Sequence, residues 1–457
     1  MLGRPAVTWW SRNLDRATQV CSDFIDVSRH EGVLTASRVL GSRVLRFARY
    51  RLLGAGPQRL ELQRDSGPAA HLDEAELAAL PLKPGVLFVG YVEASLGLGE
   101  SLRGLITSTA QTQTPFAIYP FNVNVESRVT GPFREADYDT GSPYAINVIE
   151  TATDQLPAVF RTLGEWRTQR SYNILRTYWE LPVAPQEWAP LLERIDEIWA
   201  PNAFVADALR PIFGGPISIV PPCVEIDEEP AVGRAHFGMG EDAFYFLFSF
   251  DYFSYPARKN PVGVIRAFQE AFPDLDENVG LVIKSTGSQD NFPEIKAVIA
   301  AATKRDPRIH VIDGTLTRPE IVSLFACSDS YVSLHRSEGF GLGMVETMAY
   351  GKPVIGTDFS GSTDFLSPST GFPVPCEIRP VRRGEYVYFE GQVWAEPDIG
   401  AAARAMRTVF EGGADVAARA AAGRTFVRER YGRDGVGRKV AARIGEIIAE
   451  GDRKARG

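Results

Sequence analysis

Short runs of apolar residues alternate with longer amphipathic stretches over residues 84–430. The apolar runs have the length of buried β-strands, and Gly, Pro or Asn often separates them from the stretch that follows. A first series of strands is predicted at residues 86–90, 145–149, 171–179 and 195–201, and a second at 216–220, 244–250, 279–284, 309–313, 331–335 and 354–357. Because strands that alternate with helices form parallel sheets, we expect two α/β domains.

The chain has 457 residues, too many for one hydrophobic core but suited to two domains plus an extension. The predicted fold class is α/β, with two Rossmann-like domains that face each other across a cleft. The expected boundaries are a helical basic extension and linker at 1–80, an N-terminal Rossmann-like domain at 81–210, a C-terminal Rossmann-like domain at 211–430 and a C-terminal helix at 431–457.

The extension is strongly basic over one stretch. No acidic residue lies between Glu31 and Glu61, whereas several arginines do. Apolar residues recur there with helical spacing, so residues 36–53 are predicted to form a basic amphipathic helix. Two interpretations are open: the helix contacts an anionic membrane surface, or it packs on the body of the protein or on a second subunit.

Composition narrows the class of protein. Hydrophobic residues make up 44% and charged residues 23%, as in ordinary soluble domains. The net charge of −8 argues weakly against a nucleic-acid partner. The four cysteines are scattered without metal-ligand spacing, which indicates structural thiols in a reducing cytosol. Since no apolar run approaches the ~20 residues that span a bilayer, we expect a cytoplasmic protein, either free or peripheral at the inner face of the membrane.

Two glutamates, Glu338 and Glu346, bracket a turn that contains Gly339 and Gly341. A buried strand is predicted before the turn and a helix at residues 342–350 after it. The N–H groups at a helix N-terminus attract anions, and glycine lets the backbone approach a ligand closely. Two carboxylates beside such a turn suit the recognition of hydroxyl groups on a ribose and on a sugar.

This arrangement resembles the Glu-x7-Glu signature of retaining GT-B glycosyltransferases of family 4, which include bacterial polysaccharide mannosyltransferases. The resemblance covers most of residues 84–430. It implies a GT-B fold with an acceptor-binding N-terminal domain, a donor-binding C-terminal domain and a last helix that crosses back to the N-terminal domain. It also implies hexosyl transfer from a nucleotide-diphosphate sugar (GDP-mannose or a UDP- or dTDP-hexose) to a glycan or lipid-linked glycan, in surface polysaccharide or glycolipid synthesis. No cofactor and no required metal are expected.

The resemblance also assigns roles within the turn. Glu338 is expected to contact the transferred sugar near its reacting end, and Glu346 to hold the ribose hydroxyls. Backbone amides around the sugar and phosphate are expected from Gly339, Phe340, Gly341 and Leu342.

A second candidate element is the turn with Arg258 and Lys259, just before a helix predicted at residues 261–272. Fixed cations near a helix N-terminus neutralise a departing diphosphate. By resemblance, Lys259 matches the diphosphate-binding lysine of the family. The arginine that accompanies it there is replaced by Phe253, so Arg258 is expected to take its place. Ser254, in the same loop, is expected to line the donor site.

Four further positions are candidates. Gly97 and Gly99 follow the first predicted strand, where they either admit a phosphate or acceptor or simply form a tight turn. His335 either points into the donor site or packs at a strand end. Many members of the resembled family have an N-terminal-domain histidine that contacts the donor sugar. Its position corresponds here to Glu150, which is expected to hydrogen-bond a sugar hydroxyl or act as a base toward the acceptor.

Two aromatic motifs resemble a subgroup that acts on bacterial surface polysaccharides. One is Trp179-Glu180-Leu181-Pro182 with Trp188, and the other contains Tyr388 and Trp394. Trp179 is expected to lie in the core, whereas Glu180 is expected to face the cleft.

Two D-x-D sequences have the form that metal-dependent glycosyltransferases use. They are residues 137–139 and 274–276. Neither has the surroundings of a Mg²⁺ site, so both are predicted to be solvated turns.

Two other functions fit the same fold. GT-B epimerases of nucleotide sugars use carboxylates and a histidine in the cleft, and no histidine lies between residues 72 and 235. A degenerate glycosyltransferase that serves as a partner protein is suggested by Glu150. The presence of Glu338, Glu346 and Lys259 argues against such decay.

Overall fold

The computed structural model describes residues 72–123, 131–224, 229–287 and 292–456. The basic helix predicted at residues 36–53 lies outside these ranges, so both of its interpretations stay open. Within the described ranges, no helix combines the length and the apolar character that crossing a membrane requires.

The first half of the described chain forms a parallel sheet. Its strands are β1 (Lys83–Gly90), β2 (Phe116–Pro120), β3 (Tyr144–Glu150), β4 (Tyr172–Arg176), β5 (Glu197–Ala200) and β6 (Ile217–Ile219). They lie in the order β2-β1-β3-β4-β5-β6, and every neighbouring pair is parallel. The topological switch point lies between β1 and β3, where helices on either side leave a crevice at the carboxyl ends of the strands.

The second half forms another parallel sheet and a small hairpin. The strands of the sheet are β7 (Phe244–Asp251), β8 (Val279–Thr286), β9 (Ile309–Asp313), β10 (Ser330–Ser333), β11 (Val354–Thr357) and β12 (Phe372–Val374). Their order, β12-β11-β10-β7-β8-β9, is that of a Rossmann sheet, with its switch point between β7 and β10. The hairpin pairs β13 (Cys376–Pro380) with β14 (Val393–Pro397) in antiparallel fashion.

Helices connect the strands and cover the sheets. In chain order they are α1 (Glu74–Ala79), α2 (Gly97–Thr109), α3 (Leu156–Leu163), α4 (Glu165–Thr168), α5 (Ala203–Leu209), α6 (Pro256–Lys259), α7 (Pro261–Ala271), α8 (Pro293–Arg305), α9 (Arg318–Cys327), α10 (Leu342–Ala349), α11 (Ile399–Glu411), α12 (Ala414–Tyr431) and α13 (Arg433–Arg456). Four consecutive β1 residues, Val86 to Val89, are fully buried, as expected for a parallel sheet covered on both faces.

The predicted α/β class with two Rossmann-like sheets is confirmed. The strand predicted at 171–179 ends at Arg176, and the run at 216–220, predicted to open the second series, is wrong in its place: it forms β6 of the first sheet. Strands β2, β12, β13 and β14 were not predicted, and the short apolar run of β2 lies between two prolines. Asp139 is not a solvated turn residue as predicted: it is buried, and its Oδ2 pairs with Arg167 at 2.8 Å. Asp274 and Asp276 do lie exposed in a turn.

The last helix, α13, packs against the first sheet. Its apolar face presents Val436, Val440, Ile444 and Ile447 to a core cluster that includes Phe88 of β1. The numerical domain boundaries stay a prediction. The contact itself means that the end of the chain adds to the core of the first domain.

A buried carboxylate fixes where α13 lies. Glu197, at the start of β5, is fully buried and accepts hydrogen bonds from Arg443 of α13 at 2.8 and 3.0 Å. Ser218 and Trp199 also donate to this carboxylate, at 2.6 and 3.0 Å. The charge of Glu197 is therefore balanced by a cation from the far end of the chain.

We expect Arg443→Met to lower the free energy of unfolding by about 3 kcal/mol, because it leaves Glu197 buried without a counter-charge. Arg438→Met, an exposed arginine on the same helix, is the matched control and should change stability by less than about 0.5 kcal/mol. Chemical unfolding followed by circular dichroism measures both. Equal stability of the two variants would show that Arg443 does not hold α13 in place.

Candidate active site

The candidate site lies at the switch point of the second sheet, where the segments that follow β7 and β10 meet. The segment after β7 carries α6, with Arg258 and Lys259, and the segment after β10 carries Glu338. Ligands of open α/β sheets bind in the crevice outside the carboxyl ends of the strands at such a point. The topology therefore brings together two sequence motifs that lie 79 residues apart.

Glu338 forms an ion-paired cluster with two cations. Its Oε2 accepts a hydrogen bond from Arg258 Nη1 at 3.1 Å, and its Oε1 accepts one from the ammonium of Lys259. Burial would raise the pKa of the Glu338 carboxyl, but Lys259 and Arg258 outweigh burial and lower that pKa to about 2. Burial lowers the pKa of Lys259 despite the opposing effect of Glu338. The carboxylate is thus held charged in a largely desolvated site.

Hydrogen bonds from side chains to backbone carbonyls hold α6 and the residue that follows it against the loop after β10. Arg258 donates from Nη1 to the Ser337 carbonyl at 2.9 Å and from Nε to the Ser254 carbonyl at 3.2 Å. The side chain of Asn260, which adopts a left-handed conformation at φ 57°, donates to the Leu334 carbonyl at 2.9 Å. Ser254 therefore contributes its carbonyl to positioning Arg258, and Arg258 itself is largely engaged by the protein.

The glycine-rich turn leads into the N-terminus of α10. Gly341 has φ 100°, a conformation that favours glycine, and no side chain caps the helix that starts at Leu342. The ring of Phe340 is buried against Phe365 and Tyr431, so only its backbone faces the turn. Uncapped N–H groups at a helix start form an anion site, as the resemblance implies for this turn.

The turn also contacts the first domain. Asn202 caps α5 by accepting from the Val205 N–H, and its amide donates to the Gly339 carbonyl at 2.6 Å. The carboxylate of Glu338 therefore lies on a loop fixed from both domains, because the Ser337 hydroxyl in turn donates to the Glu180 carbonyl.

Glu346 lies on the second turn of α10 and pairs with Arg318 at 2.5 Å. Arg318, at the start of α9, also lies 3.3 Å from Glu100 of α2. Burial raises the pKa of Glu346 in spite of the opposing effect of Arg318. In this structure the predicted ribose-binding carboxylate is therefore part of an ion-pair chain that joins the two domains.

Gly97 and Gly99 differ in their surroundings. A side chain at Gly97 would meet no atom within 4 Å, so its backbone is open to approach. A Cβ at Gly99 would lie 2.5 Å from the Ala94 carbonyl and 2.6 Å from the Tyr91 carbonyl. The tight turn that starts α2 thus requires glycine at position 99. Of the two interpretations of Gly99, the structure favours a tight turn over a contact with a phosphate or acceptor.

His335 is fully buried behind the site. One ring nitrogen contacts the Ser333 hydroxyl at 3.0 Å and the other contacts the Ser362 hydroxyl at 3.1 Å. Burial lowers the pKa of His335 to about 4. These contacts favour packing at the strand end over a contact with the donor.

Glu150 is also fully buried, and its Oε2 pairs with Arg176 Nη1 at 2.7 Å. The two residues are register partners at the ends of β3 and β4. Burial raises the pKa of Glu150, with Arg176 opposing. This environment is that of a structural ion pair, and a role for Glu150 with sugar or acceptor stays a prediction without a contact that supports it.

The two aromatic motifs form one cluster. The ring of Tyr388 lies 6.0 Å from that of Trp179 and 5.9 Å from that of Trp188. The Tyr386 hydroxyl donates to Glu180 Oε2 at 2.7 Å, and the other oxygen of Glu180 lies 3.7 Å from Arg258. Sequence analysis missed Tyr386, Arg318 and Glu100 as site neighbours, because nothing in the local pattern reports such distant pairing.

In the described part of the chain, no cluster of three or more His, Cys, Asp or Glu side chains is arranged to hold a metal ion. The prediction that no metal is required remains a prediction.

A family model described as "Glycosyl transferases group 1" matches residues 245–377, the segment that contains β7, α6 and the Glu338 turn. Among curated proteins, the chain is similar to D-inositol 3-phosphate glycosyltransferase of Arthrobacter sp. (strain FB24). The two are 29% identical over 152 residues, which are 32% of this chain and 34% of the relative. The match thus spans about a third of this relative's length.

Solved structures resemble a larger part of the chain. Sucrose-phosphate synthase from Thermosynechococcus elongatus superposes with a TM-score of 0.59 at 14% identity, over 80% of this chain and 100% of the synthase. HepE from Anabaena, solved with UDP and glucose, gives 0.56 at 15% identity, over 79% and 100%. At such identities the likeness establishes the fold alone. The chain has the GT-B fold, as predicted, and residues 245–377 are similar to the group 1 glycosyl transferases.

The pairing of Glu338 makes a prediction about stability and pH. Because the pKa of Glu338 in the folded protein lies below its ordinary value near 4.5, its contribution to stability is fully present above that pH and is lost as the pH falls toward about 2. Glu338→Gln should therefore cost about 3 kcal/mol at neutral pH, and this cost should shrink below pH 4.5.

Thermal unfolding of both proteins between pH 3 and 7 measures this difference. Glu377→Gln, on the exposed strand β13, is the matched control, with an expected effect under about 0.5 kcal/mol. A cost of Glu338→Gln that stays constant across this pH range would contradict the ion-paired state.

Proposed function

We propose that the protein is a glycosyltransferase that moves a hexosyl group from a nucleotide-diphosphate sugar to a hydroxyl of a glycan or lipid-linked glycan. The observation that carries this proposal is the Glu338–Lys259–Arg258 cluster at the switch point of the second sheet, beside the uncapped start of α10. Carboxylates suit sugar hydroxyls, and cations with free N–H groups suit phosphates. The group 1 domain over residues 245–377 supports the same reaction class.

Each residue of the site has a separate role in the proposed reaction. The ammonium of Lys259 and the N–H groups of the turn bind the diphosphate and stabilise its charge as it departs. Glu338, released from Lys259 by the phosphate, accepts hydrogen bonds from the sugar. Glu346 takes the ribose hydroxyls in place of Arg318. Lys259 and the N–H groups of the turn hold the departing phosphate, whose oxygen can take the proton of the acceptor hydroxyl. We therefore infer the same-face attack with retention of configuration that the family resemblance implies.

The absence of a metal requirement is part of the proposal. Lys259 and the helix N-terminus supply fixed positive charge where a metal-dependent enzyme would use a cation. The place of the reaction in surface polysaccharide or glycolipid synthesis rests on the aromatic cluster of Trp179 and Tyr388, whose sequence motifs resemble those of enzymes with such acceptors.

The epimerase alternative has no support in the site. Such a reaction needs a group that takes and returns a proton in the cleft, and His335 is buried with both ring nitrogens engaged.

A donor panel tests the proposal. With GDP-, UDP- and dTDP-hexoses, EDTA and a mixture of lipid-linked glycans, we expect nucleotide release from one donor. Glu338→Ala should reduce that release at least ~100-fold, because it removes a group that acts on the transferred sugar. The exposed substitution Glu377→Ala should retain wild-type rates.

Several outcomes would contradict parts of the proposal. Release that needs added Mg²⁺ would refute metal independence, and a product of inverted anomeric configuration by NMR would refute retention. A wild-type protein that binds no donor and releases no nucleotide would refute the function as a whole.

A further inference from the structure

Lys284 is a buried cation that the site described so far does not use. It lies on β8, two residues before the carboxyl end of the strand, beside Ser249 of β7 and Ile312 of β9. The residue is 7% exposed. Within the described residues its ammonium makes no hydrogen bond and no ion pair. A largely buried charge without a partner is costly, and its nitrogen is not among the fully buried atoms, so an anion could reach it and offset that cost.

The acidic neighbours of Lys284 are occupied elsewhere. Asp251 ends β7 and accepts a hydrogen bond from the Phe253 N–H at 2.8 Å, while Asp313 ends β9 and accepts one from the Ser285 hydroxyl at 2.9 Å. Both carboxylates act on Lys284 electrostatically without pairing with it, and burial still lowers the pKa of its ammonium. Neither neighbour therefore satisfies the donor capacity of Lys284.

The same neighbours place Lys284 at the donor site. Asp251 also experiences the charges of Lys259 and Arg258. Ser249, beside Lys284, shares a hydrogen bond of 2.8 Å with the hydroxyl of Tyr331. That hydroxyl would lie 2.7 Å from a Cβ at Gly343, in the first turn of α10. Lys284 thus lies on the sheet face that carries the start of α10, beside β7, the strand that leads into the loop of Lys259.

The cations of the site described so far do not fully balance the charge of a bound diphosphate. Glu338 already engages both Lys259 and Arg258, and Arg258 is further bound to the Ser337 carbonyl. Phe253, at the end of β7, is an exposed ring and brings no charge. The diphosphate of a nucleotide sugar carries about two negative charges, and cations that already pair with Glu338 balance them only in part.

We propose that Lys284 is a third cation of the donor site. Its ammonium, near the carboxyl end of β8, binds a phosphate of the nucleoside diphosphate. The inference rests on the proposed function and names a binding residue for it. Among the described residues the ammonium of Lys284 has no acceptor, and the incoming phosphate supplies one.

Binding of nucleotides to Lys284→Met tests this inference. Methionine has a similar length and no charge, so it fits a buried position. By calorimetry we expect the variant to bind the nucleoside diphosphate about 10- to 100-fold more weakly than wild type, because it lacks one charge-assisted hydrogen bond. Affinity for the corresponding nucleoside should not change. Lys304→Met, an exposed lysine of α8, is the matched control and should bind both like wild type.

A structural role would give a different pattern. If Lys284 only supported the fold, Lys284→Met would lower the melting temperature of the ligand-free protein and weaken nucleoside and diphosphate binding alike. The inference predicts a melting temperature equal to or above that of wild type, since an unpaired buried charge is removed. Lys284→Arg should restore part of the diphosphate affinity.

Lys259→Met separates this inference from the proposed function. A wild-type protein that binds no nucleoside diphosphate overturns both. Wild-type binding that Lys259→Met weakens and Lys284→Met leaves unchanged overturns only the role of Lys284.

Discussion

The charged state of Glu338 is the constraint on which the site depends. A carboxylate that is almost fully buried persists as an anion only where cations compensate its desolvation, and Lys259 with Arg258 does so here. Because these cations follow β7 and Glu338 follows β10, their pairing ties together the two strands at which the order of the sheet reverses. The crevice between those strands is thereby held in shape before any ligand arrives.

The ligand-free site consists of ion pairs that a donor can exchange. Glu338 holds Lys259, and Glu346 holds Arg318, which also reaches Glu100 of the first domain. Under the proposed function, a diphosphate competes for the cations and hydroxyl groups compete for the carboxylates, so binding replaces existing pairs and leaves no charge without a partner. If Glu346 takes the ribose hydroxyls as proposed, the ion pairs of Arg318 also couple donor binding to contact between the domains.

The sequence predicts what is local and periodic. Apolar runs alternating with helices predicted the parallel sheets. The family resemblance, rather than the spacing, implied one donor site for Glu338 and Lys259, whose loops are in contact in the structure. The features that the sequence did not predict are long-range ion pairs. Arg176 pairs with Glu150 and Arg167 pairs with Asp139, and each partner comes from another strand or helix. A single sequence carries no signal for such pairs, because either residue alone has the pattern of a solvent-facing charge.

The packing of the hydrophobic core also differs from the domain assignment that the sequence suggests. Residues 376–397 fall within the segment assigned to the C-terminal domain, yet Val381, Tyr386 and Trp394 belong to the core cluster of the first sheet. Three aromatic pairs between this hairpin and Trp179 or Trp188 contribute about 0.5–1.5 kcal/mol each. Separating the hairpin from the first domain would therefore cost a few kcal/mol. The hairpin is equally held to the second domain, because Arg336, which follows β10, pairs with Glu396 at 2.8 Å and its carbonyl accepts from the Ala395 N–H at 2.9 Å. Any motion that opens the cleft must therefore break either the aromatic contacts of the hairpin or its ion pair with Arg336.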